Sequence, residues 1–200
     1  PALGGKTPLE LASHPAMDRM AQNGLLGLAR TVPDDMPVGS DIANLAVLGY
    51  DPKRYYSGRS PFEAISMGVE LAPEDVTYRC NLVTVSDAVH IADAAMLDYS
   101  AGEIDSDSAR PLIAAMQERF GNPRLEFHAG ISYRHCLVLR GARTGTELTP
   151  PHDITGQPLK GCFPAGENGE LLREMIDYSY RALAHLPVNK QRVAAGLAPA

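Results

Sequence analysis

The residue grammar changes once along this chain, just after Gly68, and that change limits the folds open to it. Before it, glycines, prolines and short helix-sized runs alternate; after it, strands and helices of ordinary length follow one another. Asp75 to Val85 (DVTYRCNLVTV) is dense in β-formers and reads as a strand. Val89 to Leu97 is ambiguous between strand and helix. Ser106 to Phe120 predicts an amphipathic helix capped by Ser106 and stopped by Gly121, and Leu125 to Ala129 pairs naturally with Tyr133 to Arg140. Glu167 to His185 predicts a long helix ended by Pro187. The order β-β-α-β-β-α is that of a compact α+β unit of about a hundred residues. Its ends fall at Leu71-Ala72-Pro73 and Leu186-Pro187, so it reads as inserted into something else.

The segment before the change is built from shorter pieces. A helix starts near Pro15, with Met17 and Met20 on its apolar face and Gly24 as its stop. Leu25 to Ala29 reads as a short buried strand, and Thr31 to Gly39, with Pro33 and Pro37, as a loop. In GSDIANLAVLG (39–49), Ile42, Leu45, Ala46 and Leu48 follow helical spacing, with Ser40 at the N-cap and Gly49 at the stop. Asp51-Pro52 marks a turn. Ser60-Pro61-Phe62-Glu63 then places a cap serine, a proline at the first helical position and a glutamate at the third, opening a helix that ends near Gly68.

Charge narrows the range of partners. Eighteen Lys and Arg against 24 Asp and Glu give a net charge of −6, so no global basic field exists to hold nucleic acid or an anionic membrane surface. Any anionic ligand must be met by locally placed arginines. A hydrophobic share of 44% supports a sizeable core and argues against wholesale disorder. The three cysteines, Cys80, Cys136 and Cys162, are odd in number and far apart, and read as reduced, buried thiols of a cytoplasmic protein. No apolar run approaches the roughly 20 residues of a membrane span, and the N-terminus lacks a signal-peptide layout, so neither secretion nor membrane insertion is expected. The chain opens on Pro1 and stops at the apolar, helix-free 196–200, which is compatible with a piece of something longer.

Ser40 is the first residue that could carry chemistry. A helix N-terminus supplies backbone N–H groups and a partial positive charge, and a serine there can cap, bind an anion or be phosphorylated. Capping alone is the commoner fate. Asp41 beside it can serve the helix dipole or lie near a metal. Arg59, Arg79, Arg134, Arg140, Arg143 and Arg192 sit beside strand ends or Gly-rich turns, where a guanidinium can grip phosphate or carboxylate. Arg79 and Arg134 stand out because each interrupts an apolar strand and needs a partner or an anionic ligand. His135 adjoins Arg134, and His152 adjoins Asp153 in a Pro-flanked loop suited to a binding mouth, but local spacing assembles no complete metal site. Tyr99 and Ser100 sit at a turn, with packing as the default role.

Taken together, several strings resemble the archaeal-type cofactor-independent phosphoglycerate mutases. They are LGGKTPLE (3–10), PAMD (15–18), Gly39-Ser40-Asp41 with LGYDP (48–52), YSGRSPFEA (56–64) and Arg79-Cys80-Asn81-Leu82. The likeness continues in DYSAG (98–102), Tyr133-Arg134-His135 and Pro187-Val188-Asn189 with Arg192, and so runs the length of the chain.

That resemblance implies an α/β fold: an alkaline-phosphatase-like core, partial here, interrupted by an inserted α+β phosphotransferase domain. Residues 1–70 would belong to the core, 71–187 to the insert and 188–200 to the return into the core. It implies that Ser40 is the nucleophile, becomes phosphorylated and contacts metal, and that Arg79, Asn81, Arg134, His135, His152 and Asp153 bind substrate. Divalent Mn²⁺, Mg²⁺ or Zn²⁺ would lower the serine's pKa and neutralise the transferring phosphoryl group, with no 2,3-bisphosphoglycerate required. The partner would be a small phosphoglycerate, with neither nucleic acid nor membrane, and homo-oligomer formation is left open. Metals and arginines would converge from both domains on one cleft, because phosphoryl transfer gains most from positioning and charge neutralisation. The family's remaining metal ligands, an Asp at the end of a first strand and later Asp/His clusters, do not occur in these 200 residues. The chain alone is therefore expected neither to hold its metals tightly nor to turn substrate over. Two alternatives stand beside the isomerase: a phosphatase or phosphotransferase acting on another small hydroxy acid such as homoserine, and a non-catalytic anion-binding module.

Overall fold

The computed structural model describes residues 3–200. They divide into two compact units, the first ending at Tyr56 and the second running Ser57–Ala200.

Short helices make up the first unit, each set by its cap. α1 (Pro8–Leu11) opens on a capping box in which the Thr7 hydroxyl accepts the Glu10 amide and the Glu10 carboxylate accepts the Thr7 amide. α2 (Pro15–Asn23) starts on proline and stops at Gly24, as the spacing predicts. α3 (Ser40–Val47) and α4 (Pro52–Tyr55) pack together, and Ile42 and Pro52 are buried. Asp51-Pro52 does more than turn the chain, because the Asp51 carboxylate accepts the Lys53 amide and opens α4.

The buried strand expected at Leu25 to Ala29 is absent: the segment is irregular and exposed, with Leu25 and Leu28 fully in solvent. A strand exists only where another strand satisfies its backbone, and no described residue pairs with this one.

The second unit is organised by a three-stranded antiparallel sheet in the order β1-β5-β4, built from β1 (Val76–Asn81), β4 (Leu125–His128) and β5 (Arg134–Leu139). The expected strand pair is thus present as β4 and β5, with Leu137 opposite Phe127. Strand alternation divides the sheet's side chains. Tyr78, Leu125, Phe127, Leu137 and Leu139 face the main core with Leu112, Ile113 and Met116 of α6 (Ser106–Phe120) and Leu172 and Met175 of α7 (Gly169–Ala182). Cys136 and Val138 face the other way, onto Ala64 of α5 (Arg59–Ser66) and Val69. The compact unit therefore takes in α5, upstream of the boundary expected at residues 70/71.

Around this frame lie small pairs. The expected strand 75–85 breaks at Leu82, after which β2 (Thr84–Val85) pairs with β3 (Met96–Asp98) across a register shift. The ambiguous Val89–Leu97 stretch resolves into a 3₁₀ turn, Ile91–Asp93, followed by the start of β3. A third pair joins β6 (Thr146–Glu147) to β7 (Ala165–Gly166). The long C-terminal helix ends as α7 and a 3₁₀ turn at Leu183–His185, and Pro187 then begins α8 (Pro187–Ala194) rather than closing the run. Asn189, fully buried, donates to the Leu183 and Ala200 carbonyls and accepts the Ala200 amide, while Arg192 donates to the Ala198 and Ala101 carbonyls. No disulfide forms among the described residues: Cys136 is buried, and Cys80 and Cys162 only half-buried. No helix among them is long and apolar enough to cross a membrane.

Candidate functional site

Ser40 lies one position later than its expected cap role. Gly39 is the N-cap and Ser40 the first helical residue, exposed. The first bond of the helix ladder runs from the Ala43 amide to the Gly39 carbonyl, so the amides of residues 40–42 lie ahead of it, at the positive end of the helix dipole. Asp41 accepts a hydrogen bond from the Tyr56 hydroxyl at 2.6 Å. A Cβ on Gly39 would stand 2.4 Å from the Asp41 carboxylate, so glycine lets Asp41 fold back beside the serine.

The second cluster is set by the register of β1 on β5. Arg79 pairs with Cys136 and Asn81 with Arg134, so Arg79, Asn81, Arg134 and Cys136 share the face that α5 covers. α5 is held there by Ser60, whose hydroxyl donates to the Thr77 carbonyl and accepts from the Thr77 hydroxyl. Ser60 was expected to cap this helix; Gly58 is the N-cap instead, and Ser60 spends its hydroxyl on β1. Glu63 is likewise released from a capping role and lies 3.7 Å from Arg79 Nε. The partner demanded by a charge inside an apolar strand is therefore Glu63. Burial pushes the Cys136 thiol beside Arg79 up to about 12, with Cys80 and Glu63 adding to the effect.

The DYSAG turn supplies a third element. Ala101, Gly102 and Glu103 are all left-handed, with φ of 51°, 68° and 53°. Consecutive left-handed residues are costly outside glycine and persist only when over-determined. Here the Asp98 carboxylate accepts the Ser100 amide and hydroxyl and the Gly102 amide, which holds its pKa below the usual range. Arg192, buried, fixes the Ala101 carbonyl at 2.7 Å. The turn sets Tyr99 edge-on to Tyr133 at 5.9 Å and to His152 at 6.3 Å, while the Arg134 guanidinium lies 4.8 Å above the Tyr133 ring. Arg134 and His152 are thus linked through two tyrosines, and His152 Nε2 lies 3.4 Å from Asp153 in an exposed pair.

His135 does not join them. It sits next to Arg134 in sequence and therefore on the opposite face of the strand, with no exposure at all. Its Nδ1 accepts the Gly130 amide, and burial pulls its pKa down to about 4. A side chain so placed cannot touch a ligand on the Arg79 face; it is a core histidine. Strand alternation, applied to Arg134, was the signal for this. Three more of the six arginines are held by groups of this chain. Arg140 bridges Glu126 and Asp75, Arg143 lies 3.9 Å from Glu167, and Arg192 holds backbone carbonyls. Glu63 is the residue the sequence pattern missed, because its position in the helix was assigned to capping.

Among the described residues, no three His, Cys, Asp or Glu side chains gather into a group that could hold a metal ion. Ser40 and Asp41 alone do not make a donor set for a divalent cation, so the residues present do not fit one unaided.

The family model described as 2,3-bisphosphoglycerate-independent phosphoglycerate mutase matches residues 21–189. A protein of that name from Methanosarcina barkeri is 49% identical over 99% of this chain and 48% of its own length. Among solved structures, the cofactor-independent phosphoglycerate mutase of Thermoplasma acidophilum aligns at TM-score 0.59 and 29% identity over 82% of this chain and 44% of that one. The PH0037 protein of Pyrococcus horikoshii aligns at TM-score 0.66 and 26% identity over all of this chain and 44% of its own. The chain spans about half the length of the curated relatives it matches.

Proposed function

We propose, from the premise that this chain belongs to the 2,3-bisphosphoglycerate-independent phosphoglycerate mutase family, that it carries the phosphoryl-accepting serine and the substrate-gripping residues of an enzyme interconverting 3-phosphoglycerate and 2-phosphoglycerate. The observation that carries this reading is the family match across residues 21–189, which takes in Ser40, Arg79 and Arg134 alike. In that enzyme the segment ending at Tyr56 forms part of an alkaline-phosphatase-like core, the sheet unit from Ser57 on, α5 included, the inserted phosphotransferase domain, and 188–200 the return into the core.

Ser40 Oγ accepts the phosphoryl group from O3 of 3-phosphoglycerate, and the proton it gives up ends on the freed glycerate hydroxyl. The phosphoryl group then returns to O2, and Ser40 regains a proton. The amides ahead of the α3 ladder stabilise the negative charge that gathers on the phosphoserine. Asp41, beside the serine, has its carboxylate held by the Tyr56 hydroxyl. Arg79 and Arg134 hold the anionic oxygens of the substrate, Asn81 contributes its amide between them, and His152 with Asp153 stands at the far end of the tyrosine pair. The three unpaired cysteines agree with a cytoplasmic location. Since the donor set here does not fit a divalent ion unaided, no step is assigned to one.

The test is Ser40→Ala in the polypeptide that carries this segment, assayed for conversion of 3- to 2-phosphoglycerate and for a phosphorylated peptide containing residue 40. Turnover should fall by at least about a thousandfold, and the phosphopeptide should vanish. Residual activity within about tenfold of the parent overturns the covalent role. Release of free phosphate in place of 2-phosphoglycerate by the unaltered protein points to a phosphatase instead.

A further inference from the structure

Three polar atoms on the α5-covered side of the sheet are buried and have no hydrogen-bond partner among the described residues: Glu63 Oε2, Arg79 Nε and Asn81 Oδ1. A buried polar group left unpaired costs about 1–3 kcal/mol, so three in one neighbourhood call for an explanation. They are close by construction. Glu63 Oε1 lies 3.7 Å from Arg79 Nε, Asn81 follows Arg79 by two residues on the same strand face, and Arg134 stands opposite Asn81. Glu63 also acts on Arg134, whose protonated form is favoured first by the Tyr133 hydroxyl and then by the carboxylates of Glu103 and Glu63.

The orphaned atoms are two acceptors and one donor, and that mixture selects among ligands. A bare phosphate or simple carboxylate satisfies Arg79 but brings negative charge against Glu63 and leaves both acceptors unmet. A cation satisfies the acceptors but is repelled by Arg79 and Arg134. A molecule bearing anionic oxygens and a neutral hydroxyl meets the donor and the charged acceptor together: its oxygens accept from the guanidiniums, and its single O–H donates to the Glu63 carboxylate, which leaves Asn81 Oδ1 to a second donor such as water. We infer that Glu63 is a specificity-determining residue that accepts a hydrogen bond from the free hydroxyl of an anionic hydroxy acid held by Arg79 and Arg134. The inference deepens the phosphoglycerate reading above and rests on it, since each phosphoglycerate isomer carries one such hydroxyl.

Glu63 would hold its place even without a ligand, because the ion pair with Arg79 keeps the carboxylate beside the guanidinium. A role confined to positioning Arg79 makes a different prediction, and one pair of ligands separates the two. 3-Phosphoglycerate and 3-phosphooxypropanoate carry the same phosphate and carboxylate and differ only in the hydroxyl. Their affinities are measured by calorimetry on the unaltered full polypeptide that carries this segment and on its Glu63→Ala and Glu63→Gln variants, with mutase turnover followed in parallel. The unaltered protein should prefer the hydroxylated ligand by about ten- to a hundredfold, the worth of one hydrogen bond to a charged acceptor. In Glu63→Ala the preference should fall to near unity. Glu63→Gln, which keeps a carbonyl acceptor without the charge, should fall between and also reports on whether the fold survives.

If both ligands weaken equally in Glu63→Ala and the preference persists, Glu63 only positions Arg79 and the inference fails, while the phosphoglycerate reading stands on turnover. If the unaltered protein shows turnover but no preference, the inference fails in the same way. If the unaltered protein neither binds nor converts 3-phosphoglycerate, the functional reading fails and takes the inference with it.

Discussion

Acidification should destabilise the sheet unit through His135. The Gly130 amide donates to Nδ1 at 3.1 Å, which leaves the neutral ring's proton on Nε2. Protonating Nδ1 would set two donors against each other inside a site with no solvent exposure, and burial accordingly pulls the pKa from 6.5 to about 4. Because the folded value lies below the unfolded one, this contribution to stability is fully present above about pH 6.5 and is lost as the pH falls toward 4. The whole interval is worth about 3 kcal/mol at about 1.4 kcal/mol per pH unit, and about 2 kcal/mol of it is gone by pH 5. That is a large part of the 5–15 kcal/mol typical of a domain.

The pH window isolates the effect. Asp75, Asp98 and Glu126 have lowered pKa values, set first by the Ala72 amide, the Ser100 amide and Arg140 respectively. Their stabilisation is present above their ordinary values of 3.8 to 4.5 and is lost only below them. His14, on the surface, runs the other way: the Leu9 carbonyl and Asp18 raise its pKa, so its contribution is present at low pH and lost as the pH rises. Urea unfolding followed by circular dichroism between pH 7 and 4.5 measures the sum, and His135→Asn separates the terms. Asparagine Oδ1 falls where the ring Nδ1 stood, so the Gly130 amide keeps an acceptor that does not titrate. The parent should lose about 2 kcal/mol between pH 7 and pH 5, and the variant should lose less than about 0.5 kcal/mol. A variant with the parent's slope, or a parent with none, refutes the assignment.

Other substitutions probe the supports. Gly130→Ala places a Cβ 2.3 Å from the Arg134 carbonyl oxygen and 2.5 Å from the Met67 methyl, and should lower stability by about 2–3 kcal/mol in the same unfolding assay. Asn189→Ala and Asn189→Asp should each cost about 2–3 kcal/mol: the first removes the donor to two carbonyls, and the second sets an oxygen against them. Equal stability of Asn189→Asp and the parent would show that this side chain does not hold the segment after α8.

What the sequence made legible was whatever a local period or a local stop determines. α2 between Pro15 and Gly24, α6 before Gly121, and the β4–β5 pair lie close to where patterning puts them. The errors share a cause in tertiary use of side chains. Ser40, Ser60 and Ser106 each read as an N-cap, yet Ser40 and Ser106 are first helical residues, behind Gly39 and Asp105, and Ser60 is the second, behind Gly58 and Arg59. Two of those hydroxyls are engaged elsewhere, Ser60 with Thr77 and Ser106 as acceptor of the Ser132 amide. Leu25 to Ala29 looked like a strand because apolar runs do, but pairing is not a property of one segment. At the site, Arg79 and Arg134 were legible as charges in apolar strands. Their meeting through Asn81 depends on a register between segments some fifty residues apart, which composition does not encode.

α5 is where these threads join. It lies in sequence beside the serine-bearing unit, yet it packs with the sheet, and the reasons are specific. Ser60 ties its first turn to Thr77 on β1, Ala64 fills the space over Cys136 and Val138, and Met67 sits against Gly130, where a side chain would displace it. Those contacts bracket Glu63, so its distance from Arg79 is fixed by packing at both ends of the helix rather than by the ion pair alone. An exposed ion pair is worth little and moves freely; one clamped from both sides is a preorganised feature. The short chain between Tyr56 and Arg59 is then the place where a helix built for the sheet departs from the unit that carries Ser40. Changes at Ser60 or Gly130 should therefore reach ligand discrimination through Glu63 without touching a ligand atom.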